Sequence, residues 1–300
     1  MNLGGEKMHK NIIFTIFLWL LLGCQSKNIS LPKNIKRVAL VIGNQSYGEN
    51  ALENPINDAN GVAKVLDDIG FDVTLKHDLT LRGFYQTLNM FKNKIEPNNT
   101  MVFFYFAGHG NVLVKNSNQE YLMMTDKDAK VLVSIYKIYE FLDDIKARYN
   151  IIVIDACREF QATYIPIDGN KNRAYIEASK NPKGNARSTV SDMRGKPINE
   201  FVVHDESFSS TFPHSTIISY SSANIAKDWS KKDREHSPYS ISLIEHLDDE
   251  EIPINELFRR VRNSVIKDTN RTQVSMERTS LEKNIWLVPK RADVAVAPPI

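Results

Sequence analysis

The feature that most constrains the fold is the alternation of short apolar runs with segments of helical periodicity. Uninterrupted apolar runs are typical of strands buried on both faces of a sheet. The clearest of these runs are Val38 to Ile42, Met101 to Phe106 and Ile151 to Ile154. Between them, apolar residues recur every three or four positions, as on one face of a helix. The alternation predicts an α/β fold with a mostly parallel sheet.

The same patterns place the other elements. Val62, Val65, Leu66 and Ile69 share one helix face, preceded by Asp58 and stopped at Gly70. Further helices are predicted at Phe84 to Ile95, Ile138 to Ile145, Tyr239 to Leu247 and Ile254 to Val265, and further strands at Asp72 to Leu75, Thr216 to Tyr220 and Trp286-Leu287.

Size and charge exclude some classes of protein. The 300 residues allow one large or two small domains, and 42% hydrophobic with 25% charged residues is ordinary for a globular chain. The net charge is only +2, and no arginine-rich or aromatic-basic stripe occurs. Nucleic acid is therefore not expected as a partner.

The N-terminus has the pattern of an export signal. Lys7 and Lys10 precede the apolar run Ile12 to Leu22, which is too short to span a membrane. The run ends in Leu-Leu-Gly before Cys24, which resembles a bacterial lipobox. We expect a signal peptide at 1–23, a lipid on Cys24 and a tether at 24–36, which would anchor an exported lipoprotein in the bacterial cell envelope. An ordinary signal or hydrophobic anchor with an incidental cysteine is the alternative.

Two strands each lead into a reactive residue. Met101 to Phe106 is followed by His109 between glycines, and Ile151 to Ile154 is followed by Cys157. The carboxyl ends of parallel strands gather functional residues at one edge of a sheet. An imidazole there can activate a thiol and then protonate a leaving amine. Alone, His109 could be a turn histidine and Cys157 a buried apolar thiol.

Two further features bear on this pair. The backbone N–H groups of Gly110 and Cys157 follow the strand ends and are the expected donors to an oxyanion. The chain has only two cysteines, so a lipidated Cys24 leaves Cys157 without a disulfide partner. The separation, 157 − 109 = 48, matches the ~50 residues between the caspase histidine and cysteine.

On these motifs the sequence resembles the caspase, metacaspase and paracaspase clan, in particular bacterial caspase-domain proteins. The resemblance rests on Tyr105 to Gly110 (YFAGHG) and Asp155 to Arg158 (DACR), with Ala39 to Tyr47 and Ser237 to Ser240 in support. It implies a three-layer sandwich over 37–288, with helices on both faces of the sheet. It also implies a cysteine-type endopeptidase that works through a thioester acyl-enzyme.

The resemblance further implies a basic specificity. Caspases proper have Gln-Ala-Cys-Arg-Gly where this chain has Asp155 before Ala156 and Cys157. In metacaspases and paracaspases the residues that match Asp155 and Asp58 line the primary specificity pocket. Such a pocket attracts Arg or Lys before the cut, and Asp228 is a third candidate wall. Asp155 could instead hold a loop, and Asp58 could be a helix N-cap.

The segment 159–212 is polar and weakly periodic, which predicts a long loop. Its basic residues suggest autoprocessing by an enzyme of basic specificity, although a plain insertion fits the same pattern. The tail 289–300 is expected to be disordered. The resemblance to metacaspases, many of which calcium activates, leaves calcium activation open, but the acidic residues considered show no EF-hand spacing; these are Asp126, Asp128, Asp143 and Asp144. The seven histidines show no paired spacing with cysteines or acids, so we predict no cofactor or metal.

Two other functions compete with proteolysis. One is a catalytically silent caspase fold that serves as a scaffold or binding module on the envelope. The other is an α/β hydrolase or nucleotide-binding protein, but the chain has neither a Gly-x-Ser-x-Gly elbow nor a P-loop.

Overall fold

The structure is a computed structural model that describes residues 35–114, 118–127, 130–156, 161–167, 170–178, 200–204, 212–222 and 226–288. Both cysteines, Cys24 and Cys157, lie outside these residues. The predicted signal peptide, almost the whole of the tether, and the tail also lie outside them. The expectations for these segments therefore stay predictions.

The described residues form strands and helices in the following order along the chain. The strands are β1 (Lys36–Gly43), β2 (Asp72–His77), β3 (Thr100–Ala107), β4 (Gly110–Val114), β5 (Asn118–Met124), β6 (Lys130–Ser134), β7 (Tyr149–Asp155), β8 (Gln161–Ile167), β9 (Asn170–Ala178), β10 (Glu200–His204), β11 (Thr216–Tyr220) and β12 (Met276–Thr279). The helices are α1 (Pro55–Asp68), α2 (Leu81–Lys92), α3 (Ile135–Ile145), α4 (Pro238–Ile244) and α5 (Ile254–Asp268).

The central sheet has the strand order β12-β11-β7-β3-β1-β2. All neighbours are parallel except β12, which runs antiparallel to β11. All eight residues of β3, in the middle of the sheet, are buried. The mostly parallel sheet predicted from the apolar runs is confirmed.

Helices cover both faces of this sheet. Val38, Leu40 and Ile42 of β1 belong to one buried cluster with residues of α2 and α3. The intervening side chains point to the other face, because successive residues of a strand alternate. On that face α1 packs against β1, and in α4 the Ser240 hydroxyl lies 2.6 Å from the Tyr105 hydroxyl of β3. The result is the three-layer arrangement that the resemblance implied.

A second sheet corrects the loop prediction. Strands β10-β6-β5-β4-β8-β9 close into a barrel. Three of them, β8, β9 and β10, fall within 159–212, so the expectation of a long loop is wrong for those residues. They escaped notice because polar residues interrupt them, and such strands are defined by their cross-strand partners rather than by an apolar run. The periodicity also missed β4, β5 and β6, whose apolar runs are only three or four residues long, as in Val131 to Val133 and Tyr121 to Met124.

Several predicted boundaries move. Lys36 already belongs to β1, so the tether cannot extend to residue 36. Helix α1 starts at Pro55 with Asn54 at the N-cap position, so the alternative of Asp58 as N-cap is wrong. The final strand expected at Trp286-Leu287 is replaced by isolated bridges, one of them from Trp286 to Pro253, and β12 lies earlier in the chain. Within the described part of the chain, no helix is both long enough and apolar enough to span a membrane.

Candidate active site

The site begins with two strand ends that lie side by side. Strands β3 and β7 are parallel neighbours, and Ala107 pairs with Asp155. The Gly108 amide donates a 3.2 Å hydrogen bond to the Asp155 carbonyl, so the pairing continues one residue beyond β3. His109 follows Ala107 by two residues, and Cys157 follows Asp155 by the same interval. The two strands that lead into the reactive residues are therefore neighbours, although Cys157 itself is outside the described residues.

The imidazole of His109 is fixed in one orientation. Its Nε2 lies 2.8 Å from the carbonyl oxygen of Asn50. A carbonyl oxygen only accepts hydrogen bonds, so Nε2 carries a proton in this contact. In the neutral ring, Nδ1 is then the basic nitrogen. The contact therefore leaves Nδ1 as the atom that can take a proton from a nucleophile.

Tyr47 contacts His109 through both its ring and its hydroxyl group. The rings of Tyr47 and His109 are 4.6 Å apart between centroids, at 54°. The His109 amide donates to the Tyr47 hydroxyl at 3.1 Å, and this hydroxyl donates to the Met123 carbonyl at 3.1 Å. The Tyr47 ring is partly exposed, but burial of its hydroxyl raises its pKa well above the usual value. Tyr47 thus remains a neutral phenol that ties the His109 turn to β5.

Gly108 permits this close packing. A Cβ at Gly108 would lie 2.5 Å from the Tyr47 hydroxyl oxygen and 3.0 Å from the Asn44 carbonyl oxygen. Its φ of +156° is also one that residues with side chains rarely adopt. In the structure, Gly108 is required by the approach of the chain's own Tyr47 and Asn44.

Asp155 is buried at the end of β7, where it faces the start of α4. Its Oδ2 accepts hydrogen bonds from the Ser237 hydroxyl at 2.5 Å and the Ser240 hydroxyl at 2.6 Å. Burial raises the pKa of the Asp155 carboxyl. The carboxylate thus holds the first turn of α4, which agrees with the structural alternative, and it also lies beside the paired strand ends.

Asp58 approaches the same serine from α1. Its Oδ1 accepts from the Ser237 amide at 3.1 Å and lies 2.9 Å from Nδ1 of His236. Burial raises the pKa of Asp58 to about 7, partly offset by the hydrogen bond to His236. That hydrogen bond also raises the pKa of His236. Ser237 therefore joins both predicted pocket acids, Asp58 through its amide and Asp155 through its hydroxyl.

Asp228, the third predicted acid, anchors the loop that holds His109. Its carboxylate accepts from the Glu53 amide at 2.6 Å and the Asn54 amide at 3.3 Å. Burial raises its pKa, and the charge of His109 acts in the opposite direction. Asp228 also acts electrostatically on Asp155. Asp155 thus interacts electrostatically with both of the other predicted acids, Asp58 and Asp228.

Gly110 is buried at the first position of β4, opposite Leu122 of β5. The preceding residue, His109, accepts at its carbonyl from the Met123 amide at 3.0 Å. Because hydrogen-bonded and non-hydrogen-bonded positions alternate in an antiparallel pair, the Gly110 amide is directed away from β5. The predicted partner donor, the Cys157 amide, lies outside the described residues.

Sequence reasoning missed four positions of this site: Tyr47, Asn50, His236 and Ser240. Asn50 contributes only a backbone carbonyl, which no sequence pattern reveals. Ser237 had a local signal, since Ser before Pro is a common helix start. Its role at the two carboxylates had none, because Asp58 and Asp155 are 179 and 82 residues away.

No metal centre is evident among the described residues, where no group of three His, Cys, Asp or Glu side chains is suitably arranged. Two of the acids considered for calcium have structural partners. Asp126 accepts from the Leu81 amide at the start of α2, at 2.9 Å. Asp144 forms a salt bridge with Lys92. Asp128 lies outside the described residues.

Comparison with known proteins identifies the family. The sequence model of the family described as Caspase domain matches residues 36–285. The chain belongs to the caspase-domain family. Caspase-1 of Felis catus is 24% identical over 269 residues, which cover 86% of this chain and 62% of the relative's length. The solved structure of pro-sf-caspase-1 is similar in fold, with a TM-score of 0.55 and 15% identity, over 89% of this chain and 99% of that one.

These findings confirm two sequence predictions, the caspase-like family and the α/β caspase-like sandwich. Membership in the caspase-domain family gives the chain a cysteine-peptidase type of fold.

Proposed function

We propose that this caspase-domain protein is a cysteine-type endopeptidase with His109 as general base and Cys157 as nucleophile. The observation that carries the proposal is the pairing of Ala107 with Asp155. Each reactive residue follows one member of this pair by two positions in the sequence, which supports placing both at the same edge of the sheet. The Asn50 contact, which leaves Nδ1 of His109 as the basic nitrogen, supports the assignment of roles.

The reaction follows from these positions. Nδ1 of His109 takes the thiol proton of Cys157, and the thiolate attacks the carbonyl carbon of the scissile bond. The Gly110 and Cys157 amides donate to the resulting oxyanion. The C–N bond breaks as His109 returns the proton to the leaving amine, which leaves a thioester on Cys157. Water then attacks the thioester, activated by His109, and releases the acid product and the free thiol.

The primary specificity proposed is for Arg or Lys before the cut. Asp58 and Asp155 are joined by Ser237 within the site, and Asp228 lies within electrostatic reach. Both donors to Asp58 bind Oδ1. Among the described residues none donates to Oδ2, so that oxygen can accept from a basic side chain through a charge-assisted hydrogen bond. Acidic side chains would be repelled.

A panel of fluorogenic peptides with Arg, Lys or Asp before the leaving group tests the proposal. We expect turnover of the Arg and Lys peptides and none of the Asp peptide. Cys157→Ala should lower turnover by about 10³-fold or more, since the nucleophile is lost. If the wild type turns over no peptide, even with calcium and reductant, the chain is a silent caspase-fold scaffold instead.

We propose further that a lipid on Cys24 anchors the protein in the bacterial cell envelope. The support is the Leu-Leu-Gly-Cys sequence after a short apolar run. In a bacterial host, the wild type should partition into detergent and Cys24→Ala into the aqueous phase. Equal partition of the two proteins would contradict the anchor.

A further inference from the structure

A histidine lies against the more deeply buried acid of the proposed pocket. Nδ1 of His236 lies 2.9 Å from Oδ1 of Asp58. The Asp58 side chain is only 2% exposed, whereas His236 is 20% exposed. The imidazole thus lies between a buried carboxylate and solvent. In the sequence, His236 directly precedes Ser237, which contacts both pocket acids.

The charges around this pair favour a cation beside Asp58. Asp58 and Asp155 are both buried and act on each other electrostatically. Two neighbouring buried carboxylates do not both ionise unless a cation or strong donors offset the repulsion. The groups that face His236 are Asp58 on α1 and, on its own segment, Asp233 and Glu235. All three are acidic and favour the imidazolium form.

We propose that His236 is a specificity-determining residue that serves as the built-in counter-ion of Asp58 and makes binding of a basic side chain depend on pH near neutrality. The inference rests on the proposed basic specificity of this pocket. His236 holds Oδ1 and leaves Oδ2 to the substrate, so it positions the acid without occupying the substrate's place.

The pH dependence has a defined direction. As the pH falls, an imidazolium beside Asp58 keeps the carboxylate ionised to a lower pH. Without that charge, the buried carboxyl takes up its proton at a higher pH, and the pocket loses its attraction for a cation. Burial already raises the pKa of Asp58 to about 7 with His236 in place.

Binding rather than turnover provides the test, in the Cys157→Ala protein. The ligands are an acetylated tetrapeptide amide that ends in arginine and the same peptide with uncharged citrulline. Calorimetry between pH 5.5 and 9 gives the preference for arginine. His236→Asn places an amide nitrogen near the position of Nδ1 without the charge. His246→Asn is the matched control, because His246 lies 2.9 Å from Asp249 in an equivalent pair outside the pocket.

We expect His236→Asn to lower the preference for arginine about fivefold at pH 7, as for an upward shift of one unit in the pKa of Asp58, and we expect the preference to return at pH 9. His246→Asn should match the parent. An unchanged pH profile in His236→Asn, or tighter arginine binding at pH 7, would overturn the role proposed for His236 but would leave the basic specificity standing. If the parent prefers arginine at no pH, the basic specificity is wrong and the inference fails with it.

Discussion

At the scale of single residues, Asp58 shows a conflict between stability and specificity. Its carboxylate is buried beside another acid, and burial raises its pKa to about 7. A carboxyl whose pKa is raised on folding holds its proton in the folded state after the unfolded chain has lost it. Its contribution to stability therefore falls as the pH rises from about 4 to about 7. The proposed function requires the charged form, which is the less stable one.

Asp58→Asn should accordingly stabilise the fold at high pH. We expect its free energy of unfolding to exceed that of the wild type by roughly 2–4 kcal/mol at pH 8, with little difference near pH 4. Urea denaturation at the two pH values measures this. Asp249→Asn, which removes the acid of the second His–Asp pair, is the control and should give no such gain. An equal effect of Asp58→Asn at both pH values would contradict the prediction.

Tyr47 is predicted to matter through the position of His109. Tyr47→Phe keeps the ring contact but removes the hydroxyl that joins the His109 amide to the Met123 carbonyl. We expect kcat to fall about tenfold with KM unchanged, because small displacements of a catalytic group are costly. Tyr239→Phe, which removes a buried hydroxyl bonded to Ser219, should lower stability by about 1 kcal/mol without this kinetic effect. Equal kcat values in the two variants would rule out a positioning role.

At the scale of elements, Gly108 couples the end of β3 to the loop after β1. A methyl group at Gly108 would press on the Asn44 backbone and the Tyr47 hydroxyl. We expect Gly108→Ala to cost about 1–3 kcal/mol, as for overpacking elsewhere, and to lower kcat as well. Gly83→Ala in α2 is the control, since its nearest neighbours are side-chain atoms at 3.3 and 3.4 Å. Full activity and an unchanged melting temperature in Gly108→Ala would show that the turn can open.

The sequence sufficed for the central strands and for the residues that follow them. Continuous apolar runs such as Met101 to Phe106 occur because a central parallel strand is buried on both faces. His109 could be located from its place after that run. The barrel strands carry only short apolar runs of three or four residues, such as Val131 to Val133, and their pairing with other strands defines them. The contacts of Ser237 with both acids depend on tertiary packing, which local periodicity does not record.

At the scale of the whole molecule, the strands within 159–212 limit the peptide bonds at which the chain could cleave itself. Arg173 pairs with Val202 of β10, and Lys171 also lies within β9. The other basic residues of the segment follow β9 and precede β10; they are Lys180, Lys183, Arg187, Arg194 and Lys196. Peptide bonds within a paired strand are poor protease substrates, because the backbone cannot extend into an active site.

We therefore expect the active enzyme to be cut between Ala178 and Glu200, if it is processed by itself. Mass spectrometry of the fragments should place the cut after one of those five residues, and Cys157→Ala should stay intact. The fragments should remain together on gel filtration, because β11 from the second fragment pairs with β7 from the first. Identical, uncut chains in both proteins would exclude self-processing.

Because Ser237 contacts both Asp58 and Asp155, the pocket can form only after Ser237 has been synthesised. During synthesis Asp58 leaves the ribosome before Asp155, and Ser237 follows Asp155 by 82 residues. Until then neither acid has its serine partner, and α4 is not yet available to cover them. A partly synthesised chain therefore carries the proposed nucleophile and base without the pocket that would select a substrate. The pocket that would select a substrate is therefore completed after the nucleophile and the base have been synthesised.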